Sequence, residues 1–226
     1  MEEHKTRELI RPLNDFEQKH APDVLYLEGD KSLLSDGSRV SVVGSRKPSD
    51  HGVKRAQIFA QSLVRHDITV VSGLAAGIDT VAHETAIKYG GRTIAVLGTP
   101  LSKAYPASNK ELLETIKKDH LAISQFPEGY PGKPSNFPQR NRTMALISDA
   151  TVIIEASEKS GTRHQGWEAL RLGRLVFLMK NVADDPKLTW PKEMIGYGAQ
   201  VLESKEQLDE VLTEIPRFTA GGELAF

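Results

Sequence analysis

The 226-residue chain contains no cysteine, which excludes a disulfide framework and thiolate chemistry and suits an intracellular protein. It also has little net charge, −1 in all. With 29 Lys and Arg residues against 30 Asp and Glu, no overall field draws in a polyanion, so any nucleic-acid site has to be a local patch. No apolar run approaches membrane-spanning length, and the start, Met1-Glu2-Glu3-His4-Lys5, lacks the apolar core of a signal peptide. The chain therefore reads as soluble and cytoplasmic, with no membrane partner. It carries no lysine-bearing phosphate loop of the ATPase kind and no carboxylate–histidine spacing suited to a metal, so neither ATP hydrolysis, a metal nor another cofactor is expected. No internal repeat is visible.

What is present is a regular alternation. Uninterrupted apolar runs such as Val40-Ser41-Val42-Val43 read as strands buried on both faces, and helix-period segments follow them. Strands are expected at about 24–27, 40–43, 68–72, 93–97, 121–125, 151–155, 174–179 and 200–202. Helices are expected at about 50–66, 79–89, 108–118, 138–147, 162–172 and 204–213. This pattern predicts an α/β fold with a doubly wound, mostly parallel sheet of extended Rossmann-like type. Residues 1–21 are expected to form an N-terminal arm or short helix, 22–215 the core, and 216–226 a flexible tail. Two segments break the rhythm: 126–138, with four prolines and two glycines, reads as a loop over the sheet edge, and 181–198 as an extended excursion.

Glycine turns follow two of the strands: Gly44-Ser45-Arg46-Lys47 and Ser72-Gly73-Leu74-Ala75-Ala76-Gly77-Ile78-Asp79. A strand, a glycine turn and a helix start together offer backbone N–H groups and the positive end of a helix dipole to an anion, and Arg46 adds a charged fork. Such turns also serve simply to let the chain reverse. The spacing departs from the dinucleotide fingerprint, so bound NAD is not implied. A third turn, Ser160-Gly161-Thr162, opens another helix and suits either helix capping or a further phosphate. Phe137-Pro138-Gln139-Arg140-Asn141-Arg142 brings a ring, two arginines and an amide to one helix start, a grouping that suits single-stranded nucleic acid. The bland alternative is a core-plugging ring beside ion-paired arginines. Asp79 and His83 stand one helical turn apart, but no nucleophile accompanies them, so the preferred reading is a capping Asp79 with His83 packed beside it. Glu155 and Glu168 are a further possible carboxylate pair.

With these residues in view, the chain resembles the DNA-processing protein A family (DprA, also called Smf). The resemblance runs from about Pro22 to about Leu212. It rests on Val24 to Asp30, Val43-Gly44-Ser45-Arg46-Lys47, Ser72 to Asp79 with Ala82-His83, Gly91 to Gly98, Tyr105-Pro106 and Phe137 to Arg142. It implies a non-catalytic protein that binds single-stranded DNA and helps place the recombinase RecA on it during DNA uptake, with a homodimer among its forms. By the same resemblance Arg46, Lys47, the Phe137 to Arg142 run and the Ser160-Gly161 turn face DNA. The segment from Thr162 to Glu168 departs from the family's small, apolar continuation after Ser-Gly. The core is also similar to nucleoside-monophosphate phosphoribohydrolases, in which a glutamate closely follows a Gly-Thr turn. Here Glu168 lies six residues beyond Thr162. A nucleotide-cleaving enzyme and a nucleotide sensor are therefore the competing readings.

Overall fold

In the computed structural model, which describes residues 2–10 and 13–216, nine strands form a single sheet. The chain begins with β1 (Glu2–Lys5), α1 (Thr6–Leu9), α2 (Asp15–His20) and β2 (Val24–Gly29). Regular alternation then sets in with β3 (Arg39–Val43), α3 (Asp50–Arg65), β4 (Thr69–Ser72), α4 (Ile78–Lys88), β5 (Thr93–Leu97), α5 (Lys110–Asp119) and β6 (Leu121–Ser124). It continues through α6 (Asn136–Ile147), β7 (Ala150–Ile153), α7 (Thr162–Arg171), β8 (Leu175–Met179), α8 (Lys180–Ala183), α9 (Trp190–Gly196), β9 (Gln200–Leu202) and α10 (Lys205–Glu214).

The strand order is β1-β2-β6-β5-β4-β3-β7-β8-β9. From β6 to β9 all neighbours are parallel, while β2 joins β6 and β1 joins β2 antiparallel. Because β3, β4, β5 and β6 are laid down in one direction and the chain then crosses back to place β7 on the other flank of β3, the order reverses between β3 and β7. That is the topological switch point, where the helices on either side diverge and leave a crevice at the carboxyl ends of the strands.

Every residue of β3, β4, β5, β6 and β7 is buried, as continuous apolar runs require of strands covered on both faces. One face is packed by Ala56, Phe59 and Leu63 of α3, Ala82 and Ala86 of α4, and Leu208 and Leu212 of α10. Leu113 and Ile116 of α5 extend the packing over Ala95 and Leu97. The other face receives Met144 and Ile147 of α6, Ala169 of α7 and Met194 of α9. This is the doubly wound sheet predicted from the alternation.

The ends and the excursion differ from expectation. The polar N-terminal segment contributes a strand, β1, with Glu2 opposite Leu27 and Lys5 opposite Val24. It gave no period-2 signal because three of its four residues are exposed. α2 is pinned by the buried Glu17, which accepts a hydrogen bond from Arg174. Residues 181–198 hold α9, with Pro191 in its first turn where a missing N–H costs nothing. The expected mobile tail lies, apart from Pro216, outside the described residues. No described helix is long and apolar enough to cross a membrane.

Candidate nucleic-acid interface

At the switch point lies a crevice of about 480 Å³. Its walls include Gly44, Ser45, Arg46 and Lys47 after β3, Phe137, Arg140 and Asn141 of α6, and Ser160, Gly161 and Thr162 at the start of α7. Residues far apart in sequence thus converge as the sequence grouping anticipated. Arg46, Lys47, Arg140 and Lys159 face it, against Asp79 as its one carboxylate, a formal excess of three positive charges in a chain whose total is −1.

The turn after β3 and the turn after β4 pack back to back. Ile78 N–H donates to the Ser45 carbonyl at 3.1 Å. Gly77 has φ +82°, and a side chain there would fall on that same carbonyl, so only glycine lets the two loops meet. A Cβ on Gly44 would lie 2.6 Å from Ile78 Cγ1. Gly77 thus lets backbone meet backbone and Gly44 makes room for the Ile78 side chain, and Gly77 itself lies outside the crevice lining.

The sequence expectation that the glycine turns and the helix starts behind them hold phosphate is corrected in two places, the β4 turn and the start of α3, where the protein's own carboxylates take the N–H groups. In the β4 turn Asp79 Oδ2 accepts from Gly73 N at 3.1 Å and from Ala75 N at 3.4 Å. Burial raises the pKa of Asp79, against the opposing pull of Arg140 and Arg46. At the start of α3, Ser49 Oγ caps Gly52 N at 3.0 Å, and Glu155 accepts from Ser49 N at 2.9 Å and from Ser49 Oγ at 2.6 Å. Ser72 is buried, its hydroxyl donating to Val42 O at 2.7 Å. The third turn differs. Gly161 is the N-cap of α7 with no side-chain cap, the Thr162 hydroxyl turns to Gly44 O at 3.3 Å, and Ser160 Oγ is buried without a partner. The expected capping by Ser160 and Thr162 is thus not formed, and this helix start borders the crevice.

The α6 residues divide by role. The Phe137 ring rests on Gly98, whose Cβ, if present, would be 2.8 Å from Phe137 Cδ1. Tyr105 tilts against it at 5.2 Å, and the Arg46 guanidinium lies over it at 5.7 Å from the centroid. Arg140 is buried: Nη1 donates to Val96 O at 2.8 Å and to Gly73 O, and Nε to Asn141 Oδ1 at 3.1 Å. It stitches the ends of β4 and β5 to α6. Burial lowers its pKa, with the nearby Asp79 opposing that change. Asn141 reaches the third turn through Gly161 O at 3.4 Å. Arg142 is not brought to the crevice. It projects from the outer side of α6, where Nε lies 3.4 Å from Glu168 Oε1.

That same contact takes Glu168 out of the lining, with Arg171 at 3.1 Å as its second partner. Glu155 and Glu168 therefore do not form a carboxylate pair. Asp79 and His83 do not pair either. His83 is fully buried with Nδ1 2.7 Å from Thr93 Oγ1, and since that hydroxyl donates to Val70 O, the imidazole Nδ1–H is the donor. Among the described residues no group of three His, Cys, Asp or Glu is arranged to hold a metal.

Three residues were not selected from the sequence. Tyr105 belongs to a recognised dipeptide, but its place beside Phe137 is a long-range fact. Lys159 stands in the third turn and carried no signal beyond its charge. Gln165 lines the crevice with neither end of its amide bonded, and its only signal was the departure from small residues after Ser160-Gly161.

A family model described as DNA recombination-mediator protein A matches residues 8–214. The Smf protein of Synechocystis is 41% identical over 205 residues, covering 89% of this chain and 52% of that one. The DNA processing protein DprA of Bacillus subtilis is 34% identical over 193 residues, 85% of this chain and 65% of the relative. The chain thus spans about half to two thirds of the length of these relatives. Among solved structures, DprA of Streptococcus pneumoniae superposes with a TM-score of 0.77 at 35% identity, covering 89% of this chain and 72% of that one. Helicobacter pylori DNA processing protein A, described for its single-stranded DNA binding mode, has the same TM-score at 25% identity, with 85% and 88% covered.

Proposed function

The chain belongs to the DNA recombination-mediator protein A family, and on that premise we propose that it is a non-catalytic binder of single-stranded DNA. The observation that carries this reading is the charge of the switch-point crevice: Arg46, Lys47 and Lys159 gather beside the uncapped start of α7, with one carboxylate in the lining. Cationic side chains there take phosphates, and Phe137 with Tyr105 supplies a surface for a base. The description of the H. pylori relative supports the same ligand class. Family membership also supports the second half of the proposal, in which the bound strand is passed to a recombinase of the RecA type and two copies of the chain act together. The competing nucleotide-cleaving reading loses its carboxylate, because Glu168 is held by Arg142 and Arg171 outside the crevice.

Fluorescence anisotropy of a labelled oligothymidylate against a duplex of equal length, at low and moderate salt, tests the proposal. Salt-sensitive binding that prefers the single strand is expected. Equal affinity for both, or binding of neither by the folded protein, would overturn it.

A further inference from the structure

Gln165 sits in the first turn of α7, is 1% exposed, and lines the crevice. Its Nε2 and its Oε1 both lack a hydrogen-bond partner, and Ser160 Oγ, one turn earlier in the same crevice, is likewise buried and unpaired. A primary amide buried with donor and acceptor both idle is costly, because each has given up water without compensation. Native interiors satisfy almost all such groups, so a buried amide with donor and acceptor both unpartnered at the edge of a crevice points to a ligand that pairs with both.

We infer that Gln165 is a specificity-determining residue that reads the edge of a nucleobase entering the crevice, an inference that rests on the single-stranded DNA reading above. The amide offers one donor and one acceptor side by side, the complement of the adjacent acceptor and donor that nucleobases carry on their edges. A phosphate, which only accepts, would satisfy the NH₂ and leave the carbonyl idle. The surroundings agree with a base. Phe137 provides a ring in the same lining, and the cationic groups that would hold the adjoining phosphates, Arg46, Lys47 and Lys159, are exposed around it. Because the amide itself is closed to water, a base reaches it by parting side chains of the lining. Binding on phosphate alone is blind to base identity, whereas this arrangement makes affinity depend on whether a base is present.

The test compares an oligothymidylate with an abasic oligomer of the same length and charge, using the wild-type chain and Gln165→Met. The wild type is expected to prefer the thymidylate. Gln165→Met should lose about tenfold on the thymidylate, the scale of one bidentate amide–base pair, and nothing on the abasic strand. Urea unfolding accompanies the comparison. Replacing an unpartnered amide with an apolar side chain of similar length should leave stability equal or higher. A Met variant that is less stable than the wild type would mean that the amide is satisfied within the protein, and the inference fails. Equal losses on both strands, or no loss on either, also overturn it while leaving the DNA-binding reading intact. Failure of the wild type to bind either strand would instead remove that reading, and the inference with it.

Discussion

The carboxylate of Glu155, two residues past β7, grips Ser49 at the start of α3, accepting from its backbone N–H at 2.9 Å and its hydroxyl at 2.6 Å. The helix start that looks in sequence like the first phosphate cradle is thus already filled by an anion of the protein's own, brought from 106 residues away. The pairing also ties the two strands flanking the switch point to each other. Glu155→Ala removes both bonds and the charge that complements the dipole of α3. It is expected to lower stability by about 1 kcal/mol in urea unfolding, the usual worth of a helix cap. An unchanged midpoint would show that the pair contributes nothing.

Arg140 invites confusion with a DNA ligand because it is cationic and borders the crevice. Its guanidinium is spent on Gly73 O, Val96 O and Asn141, with Asp79 as its counter-charge. Arg140→Ala strips the donor from the Gly73 and Val96 carbonyls and from Asn141 Oδ1 and removes the cation near buried Asp79, so we expect a loss of about 3–5 kcal/mol of folding stability. A variant as stable as the wild type, weakened only toward DNA, would refute this assignment.

Arg46 and Phe137 touch but should fail differently. Arg46→Ala is expected to weaken binding of every single-stranded sequence and to reduce the slope of log affinity against log salt by about 1, since one counterion-releasing contact is lost. Phe137→Ala is expected to cost about 1–3 kcal/mol of affinity with the slope unchanged. Titrations at several salt concentrations separate the two, and identical slopes for both variants would contradict the division.

His83 gives a pH signature. Burial holds its pKa at about 3, below the ordinary 6.5, so between those values the folded chain binds fewer protons than the unfolded one. Its contribution to stability is complete above about pH 6.5 and is lost as the pH falls toward 3. Asp79 works in the opposite sense. Its raised pKa favours the folded state below the ordinary carboxylate value of 3.8, and that contribution is lost as the pH rises through the folded value. The His83 effect is therefore read as a difference. Urea midpoints of His83→Gln should fall less steeply than those of the wild type over that window, and parallel curves would exclude His83 as the titrating group.

Much of the architecture was legible because its signals are local. Val40 to Val43 and Thr93 to Leu97 are continuous apolar runs closed by glycine turns, and the structure places β3 and β5 there to within a residue. β1 and α9 escaped for the converse reason: an exposed edge strand has no apolar alternation, and a helix opened by Trp190-Pro191 offers a sequence reader only the proline. The site was legible as a set of turns but not in its occupancy. That Asp79 would reach back to Gly73 and Ala75, and that Arg142 would turn outward to Glu168, depends on which face of a helix meets the sheet. Composition cannot supply that.

The two borders of the sheet limit how copies of this molecule can meet. On one side the outermost described strand is β1, four residues drawn from Glu2, Glu3, His4 and Lys5; on the other it is β9, with only three residues. Charged or very short margins make poor templates for strand addition. Growth of one continuous sheet through successive molecules is therefore disfavoured, and helix faces and loops are better placed than these two edges to meet another chain.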